Sequence, residues 1–265
     1  MSLDGLLLLL AAGAFAGVLG GLFGIGGGVV VVPALYAVFA AMNVPEAVRI
    51  KLAVGTSLAT IIVTSARSLR AHARTGRVDA GLLRAWGPFI AAGAVLGAVV
   101  ARLAPAGGLT LLFALGVLGI GVQRLAAPAA PRPGAGLPSL TVQRGLALGT
   151  GLLSSLMGIG GGVFGVLLLT RFGRNVHQAV ATAAGFGLAI AVPGAIGFLV
   201  LGEGGGPWGT VGAVNLPAFV VVAAASALTA PHGARLAHAL PAALLSRGFA
   251  AYLILTGALL LRDAL

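Results

Sequence analysis

Consecutive glycines expose bare backbone N–H groups that can converge on one point, which lets a chain hold a compact anion without burying a cation. This chain carries such a string twice, Gly24-Ile25-Gly26-Gly27-Gly28-Val29 and, 134 positions later, Gly158-Ile159-Gly160-Gly161-Gly162-Val163. Each glycine in a helix interior costs roughly 1 kcal/mol relative to Ala, so four in five positions mark a broken helix. A helix that restarts after the break adds the positive end of its dipole to the same point. Substrate contacts are therefore expected at Gly26, Gly27 and Gly28 and at Gly160, Gly161 and Gly162. The hydroxyls of Thr56, Ser57, Ser154, Ser155 and Thr182 would complete a neutral donor cage suited to a compact oxyanion. The competing explanation is helix packing at glycine faces. It suits Gly93 and Gly97, four residues apart, but packing does not call for three glycines in a row.

A second tier of residues belongs to the pathway rather than to the centre. Lys51 precedes the Thr56-Ser57 turn and is placed to draw anions to one mouth, or else to snorkel to headgroups. Arg67 lies nearest the apolar sequence among the arginines of 67–77, where it lines an exit or fixes topology. His177 and Gln178 open the segment that carries Thr182, as a proton or substrate contact or as an interfacial cap. The 5 carboxylates all fall at segment ends or in loops, so none stands out as a buried proton relay. No Gly-x-Ser-x-Gly elbow, His-Glu-x-x-His pair or P-loop lysine is present, and there is no cysteine. An enzyme, a metal site, a cofactor and nucleic-acid binding are not expected.

The elements that must position these residues are membrane helices. Hydrophobic residues make up 59% of the chain and charged residues 8%, against about 25% charged in soluble domains, and the mean hydropathy is +1.10. Ten apolar segments fall into two sets of five: 5–23, 29–42, 50–71, 81–103 and 108–124, then 143–157, 163–172, 178–201, 213–236 and 244–262. A span needs about 20 apolar residues, so the short segments after each break read as half-helices or reduced crossings. The first segment lacks the basic start of a cleaved signal. Between the halves, Pro128, Pro131, Pro133 and Pro138 with Gly134 and Gly136 exclude a helix. The expected organisation is a first transmembrane repeat over 1–125, a linker over 126–141 and a second repeat over 142–265.

The repeat reaches past the glycines. Val54-Gly55-Thr56-Ser57 answers Val180-Ala181-Thr182-Ala183, Gly76-Arg77-Val78-Asp79 answers Gly212-Ala213-Val214-Asn215, and Ala101-Arg102-Leu103 answers Ala234-Arg235-Leu236. Five segments per half leave the second half upside down relative to the first. With both termini outside, 12 of the 16 Lys and Arg residues fall on the cytoplasmic side and 4 outside, the bias that membrane insertion favours. The net charge of +11 has this origin.

These strings, with Ala53-Val54-Gly55-Thr56-Ser57 and Gly233-Ala234-Arg235-Leu236-Ala237, resemble the sulfite exporter TauE/SafE family over nearly the whole chain. The resemblance implies an all-α, multi-pass protein of the bacterial inner membrane that moves sulfite, sulfoacetate or similar organosulfonates, as an exporter using alternating access between two inverted repeats. An anion channel and a carrier of a small non-sulfur carboxylate are the alternatives. The expected partners are a small anion and the lipid bilayer, with homo-oligomerisation left open. Ala183 stands where the first copy has Ser57, so any hydroxyl coordination is asymmetric.

Overall fold

A computed structural model describes residues 3–23, 27–74, 76–126 and 136–264. Most of the Pro-rich linker and Gly24, Ile25 and Gly26 of the first break lie outside these residues. The chain is all-α: α1 Leu3–Phe23, α2 Gly28–Ala41, α3 Glu46–Ala73, α4 Ala80–Leu103, α5 Ala106–Ala126, α6 Leu140–Leu156, α7 Gly162–Arg171, α8 Val176–Leu201, α9 Leu216–Ala239 and α10 Ala242–Ala264. A two-stranded hairpin, β1 Thr210–Val211 and β2 Val214–Asn215, precedes α9 and replaces the start of the apolar segment expected at 213. Among the described residues, seven helices (α1, α3, α4, α5, α8, α9 and α10) are long and apolar enough to cross a membrane. The protein is a polytopic membrane protein. At about 1.5 Å per residue, the 10 residues of α7 cover about half of a 30 Å hydrocarbon layer and the 14 of α2 about two thirds.

Local sequence explains the helix limits. Pro45 leads into α3, whose N-terminal turn holds Glu46. Asn175, Asp79 and Asn215 cap α8, α4 and α9, each side-chain oxygen accepting from the amide three residues on, at 2.8, 2.9 and 2.8 Å. Helix α6 ends in a Schellman turn: Gly158, at φ 62°, donates its N–H to the Ser155 carbonyl and Ile159 donates to that of Ser154. Only glycine takes that φ cheaply.

Helices α3 and α8 form the centre and run antiparallel, with Gly55 against Phe198, Leu58 against Gly194 and Ser65 against Gly187. Outside them, α1 runs alongside α9 in the same direction, and α6 alongside α4. Small residues set both close approaches. A Cβ at Gly97 would collide with the Leu152 carbonyl, and one at Gly233 with the Val18 carbonyl. Val18 and Leu152 are 134 positions apart, as the glycine strings are. The same pairing recurs between α5 and α10, where a Cβ at Gly121 would press on the Ala250 carbonyl and one at Gly257 on that of Ala114. Gly97 and Gly233 are separated by 136 positions, like Asp79 and Asn215. The Ala-Arg-Leu strings at 101 and 234 are therefore three residues out of the register that packing selects.

Burial within α3 is lopsided. Its residues from Ile50 to Ile61 are almost all inaccessible, whereas past Ile61 most are partly exposed. Trp86 of α4 stacks on Phe186 of α8 with ring centroids 5.7 Å apart and donates its indole N–H to Gln143, which fastens α6 to the same core.

Candidate functional site: the glycine breaks

The two breaks meet. A Cβ on Gly28, the first residue of α2, would lie 2.9 Å from the Gly158 carbonyl oxygen and 3.1 Å from the Gly160 nitrogen. Ile61, near the middle of α3, touches both Gly28 and Gly160, so the junction sits halfway along the central helix. From there α2 climbs antiparallel to α3, with Val32 beside Gly158 and Val54. Helix α7 runs antiparallel to α8, with Gly161 against Gly187 and Gly165 against Ala183. Because α3 and α8 are themselves antiparallel, α2 and α7 leave the junction in opposite directions and their N-termini face one another. Gly27 caps α2 with φ 81°, and its carbonyl accepts from Val30 and Val31. Gly26 lies outside the described residues.

Each half also reaches across to the other through a hydroxyl. Thr56 of α3 accepts the amide N–H of Asn215 at 3.0 Å, and Thr182 of α8 accepts that of Asp79 at 3.0 Å. Thr56 answers Thr182 and Asn215 answers Asp79 in the repeat, so one bond is made twice. Asp79 additionally pairs with Arg174 at 3.1 Å, a contact with no charged equivalent at Asn215. Ser57, where the second half has Ala183, donates to the Gly158 carbonyl at 2.9 Å. Thr56, Ser57 and Thr182 thus surround the breaks, fully buried, with their hydroxyls engaged between the halves.

Ser154 and Ser155 are also fully buried, and neither hydroxyl has a hydrogen-bond partner among the described residues. Ser155 faces Gly97 and Gly194, between α4 and α8. The pathway residues are dispersed. Lys51 donates to the Arg102 carbonyl at 3.2 Å and lines a shallow recess with Arg102, Glu203, Gly197 and Phe198 at the far end of α3. Arg102 and Glu203 form an ion pair there. Arg67 and His177 are exposed, and the Gln178 amide belongs to the α8 cap.

A second recess reaches the breaks from the other end, where the loops carrying Arg74, Arg77, Arg171 and Arg174 lie. Its walls are Gly160, Gly161, Gly162 and Val166 on one side, Val180, Ala183 and Ala184 on another, and Thr64, Ser65 and Ser68 of α3 on the third. The three hydroxyls were not legible in the repeat. Their signal is the seven- and eleven-residue spacing from Ser57 to Thr64 and Ser68, which puts polar groups on one face of an apolar helix. No group of His, Asp or Glu able to hold a metal ion occurs among the described residues.

A polytopic helical protein whose interrupted helices meet at the centre, with a recess leading to them, belongs to the membrane transporters rather than the enzymes. Comparison with known sequences is specific. The model of the sulfite exporter TauE/SafE family matches residues 9–260, and the chain belongs to that family. It is 35% identical over 254 residues to a probable membrane transporter protein of Haemophilus influenzae, covering 94% of this chain and 95% of that protein. Probable membrane transporter proteins of Methanocaldococcus jannaschii (28% identity, 82% of this chain and 80% of that one) and Bacillus subtilis (30% identity, 74% and 79%) are also similar. No solved structure matches the chain.

Proposed function

We propose that this transporter carries small sulfur-containing anions, such as sulfite, sulfoacetate or related organosulfonates, out across the bacterial inner membrane by alternating access between two inverted halves. The observation that carries this reading is the junction of Gly28 with Gly158 and Gly160, where two oppositely directed short helices bring their N-termini together halfway along α3. Two positive dipole ends at one midplane point favour an anion, and broken helices in corresponding positions of two halves are where secondary transporters bind substrate. The paired contacts of Gly97 with Leu152 and Gly233 with Val18 support a two-fold relation between the halves, and the antiparallel α3 and α8 support its inversion. The recess that reaches the breaks from past Ile61, on the side of the arginine-rich loops, fits an inward-facing state. Both termini then lie on the periplasmic side.

The test is counterflow in proteoliposomes. Labelled sulfite should enter faster when unlabelled sulfite or sulfoacetate is trapped inside, and the rate should saturate. Acceleration by acetate or pyruvate with none by sulfur anions would move the substrate to small carboxylates. Unitary currents without trans-acceleration would make the protein a channel.

A further inference from the structure

We infer that Thr64, Ser65 and Ser68, together with the first turn of α7, form a subsite for a singly charged oxyanion, an inference that rests on the transport reading above. Serine and threonine hydroxyls inside an apolar helix ordinarily satisfy themselves on the carbonyl four residues back. Thr60, Thr110, Thr150 and Thr170 all do so, at 2.7–3.1 Å. Ser65 does not. It is 7% exposed, lines the recess beside Gly161, and its hydroxyl has no hydrogen-bond partner among the described residues. Thr64 makes only a long bond of 3.3 Å to the Ile61 carbonyl, and Ser68 one turn further on has no partner among the described residues.

Opposite these hydroxyls stand Gly160, Gly161 and Gly162, where the first amides of α7 have no carbonyl of their own helix to reach. At Gly161 the lack of a side chain is enforced. A Cβ on Gly161 would lie 2.6 Å from the Gly187 nitrogen and 2.7 Å from the Ala183 carbonyl, so the amides stay bare to the recess. Hydroxyls on one wall and amides on the other make a donor-rich, neutral site. Neither Lys nor Arg is among its walls, so nothing offsets the desolvation of a second negative charge. Charge thus selects a monoanion, of the sulfonate or hydrogen-sulfite kind, over a dianion.

Methanesulfonate and sulfate are similar in size and differ in charge, which makes them the probes. In calorimetry on the purified full chain in nanodiscs, methanesulfonate should bind and sulfate should bind at least tenfold more weakly. Ser65→Ala, which only removes atoms, should weaken methanesulfonate about tenfold or more, as loss of a hydrogen bond to a charged group does, with an unchanged thermal midpoint. Gly187→Ala, whose Cβ would displace the Ser65 hydroxyl, should reproduce that loss. Equal affinity for sulfate, or wild-type affinity in Ser65→Ala and in a Thr64→Val, Ser68→Ala double variant, overturns the subsite while counterflow still speaks for transport. Absence of both counterflow and binding in the wild type overturns the transport reading itself.

Discussion

The Ser57 hydroxyl donates to the Gly158 carbonyl at 2.9 Å, joining the central helix of the first half to the glycine break of the second. Both groups are out of reach of water, so the bond holds the break in one place and supplies a carbonyl that has no other partner among the described residues. Removing the hydroxyl leaves that oxygen unsatisfied. Ser57→Ala should lower stability by about 1–3 kcal/mol, seen as a lower unfolding midpoint in detergent. An unchanged midpoint would show that the break is held by packing alone.

Glycines at the junction and glycines on the rim should behave oppositely. Gly161→Val forces a branched side chain against Gly187, Ala183 and Phe186, and Gly28→Val does the same against Gly158. Both should abolish uptake into vesicles. Gly145 and Gly149 of α6 have open space around them, so alanine there should leave uptake at the wild-type level. Uptake by both valine variants would remove the breaks from the pathway.

The Asp79 side chain makes two separable interactions, a cap to Leu82 and an ion pair to Arg174. Asp79→Asn keeps the cap, as Asn215 does naturally in the second half, and should cost no more than about 1 kcal/mol because the pair is partly exposed. Asp79→Ala loses both and should cost a further 0.5–2 kcal/mol or so. Equal midpoints for the two variants would assign the whole effect to charge.

The absence of cysteine makes sidedness directly measurable. Single cysteines at Arg74 and at Trp208, which is 77% exposed, should react with impermeant maleimide from opposite faces of oriented vesicles. Labelling of both from one face would refute the inverted arrangement of the halves.

Ala183 lines the recess next to Gly161 and stands where the first half has Ser57. Ala183→Ser should tighten anion binding from the arginine-rich side by the 0.5–1.5 kcal/mol or so of one added hydrogen bond. Affinities from the two vesicle faces check it. Weaker binding from that side would mean the added oxygen blocks the recess.

Much of this architecture was legible because a repeat writes it twice. The glycine strings carry a large helix penalty, and Asp79 and Asn215 announce the starts of α4 and α9. Thr56 and Thr182 stand out because they recur, and the structure adds that each hydroxyl accepts an amide N–H from the opposite half. Thr64, Ser65 and Ser68 answer Ile190, Ala191 and Gly194 in the second half, so the comparison that exposed the breaks concealed them. The hairpin of Thr210–Val211 and Val214–Asn215 was invisible because two residues per strand carry no alternation.

The contact of Gly233 with Val18 also has a history in time. Helix α1 leaves the ribosome long before α9, and the Thr229 hydroxyl that reaches the Ala14 carbonyl lies 215 residues downstream of it. At about 5–20 residues per second, the glycine face of α1 waits roughly 10–40 s for its partner. During that interval Gly13, Gly17 and Gly21 face lipid, the translocon or an insertase. A truncation before α9 leaves this face of α1 without the helix it packs against.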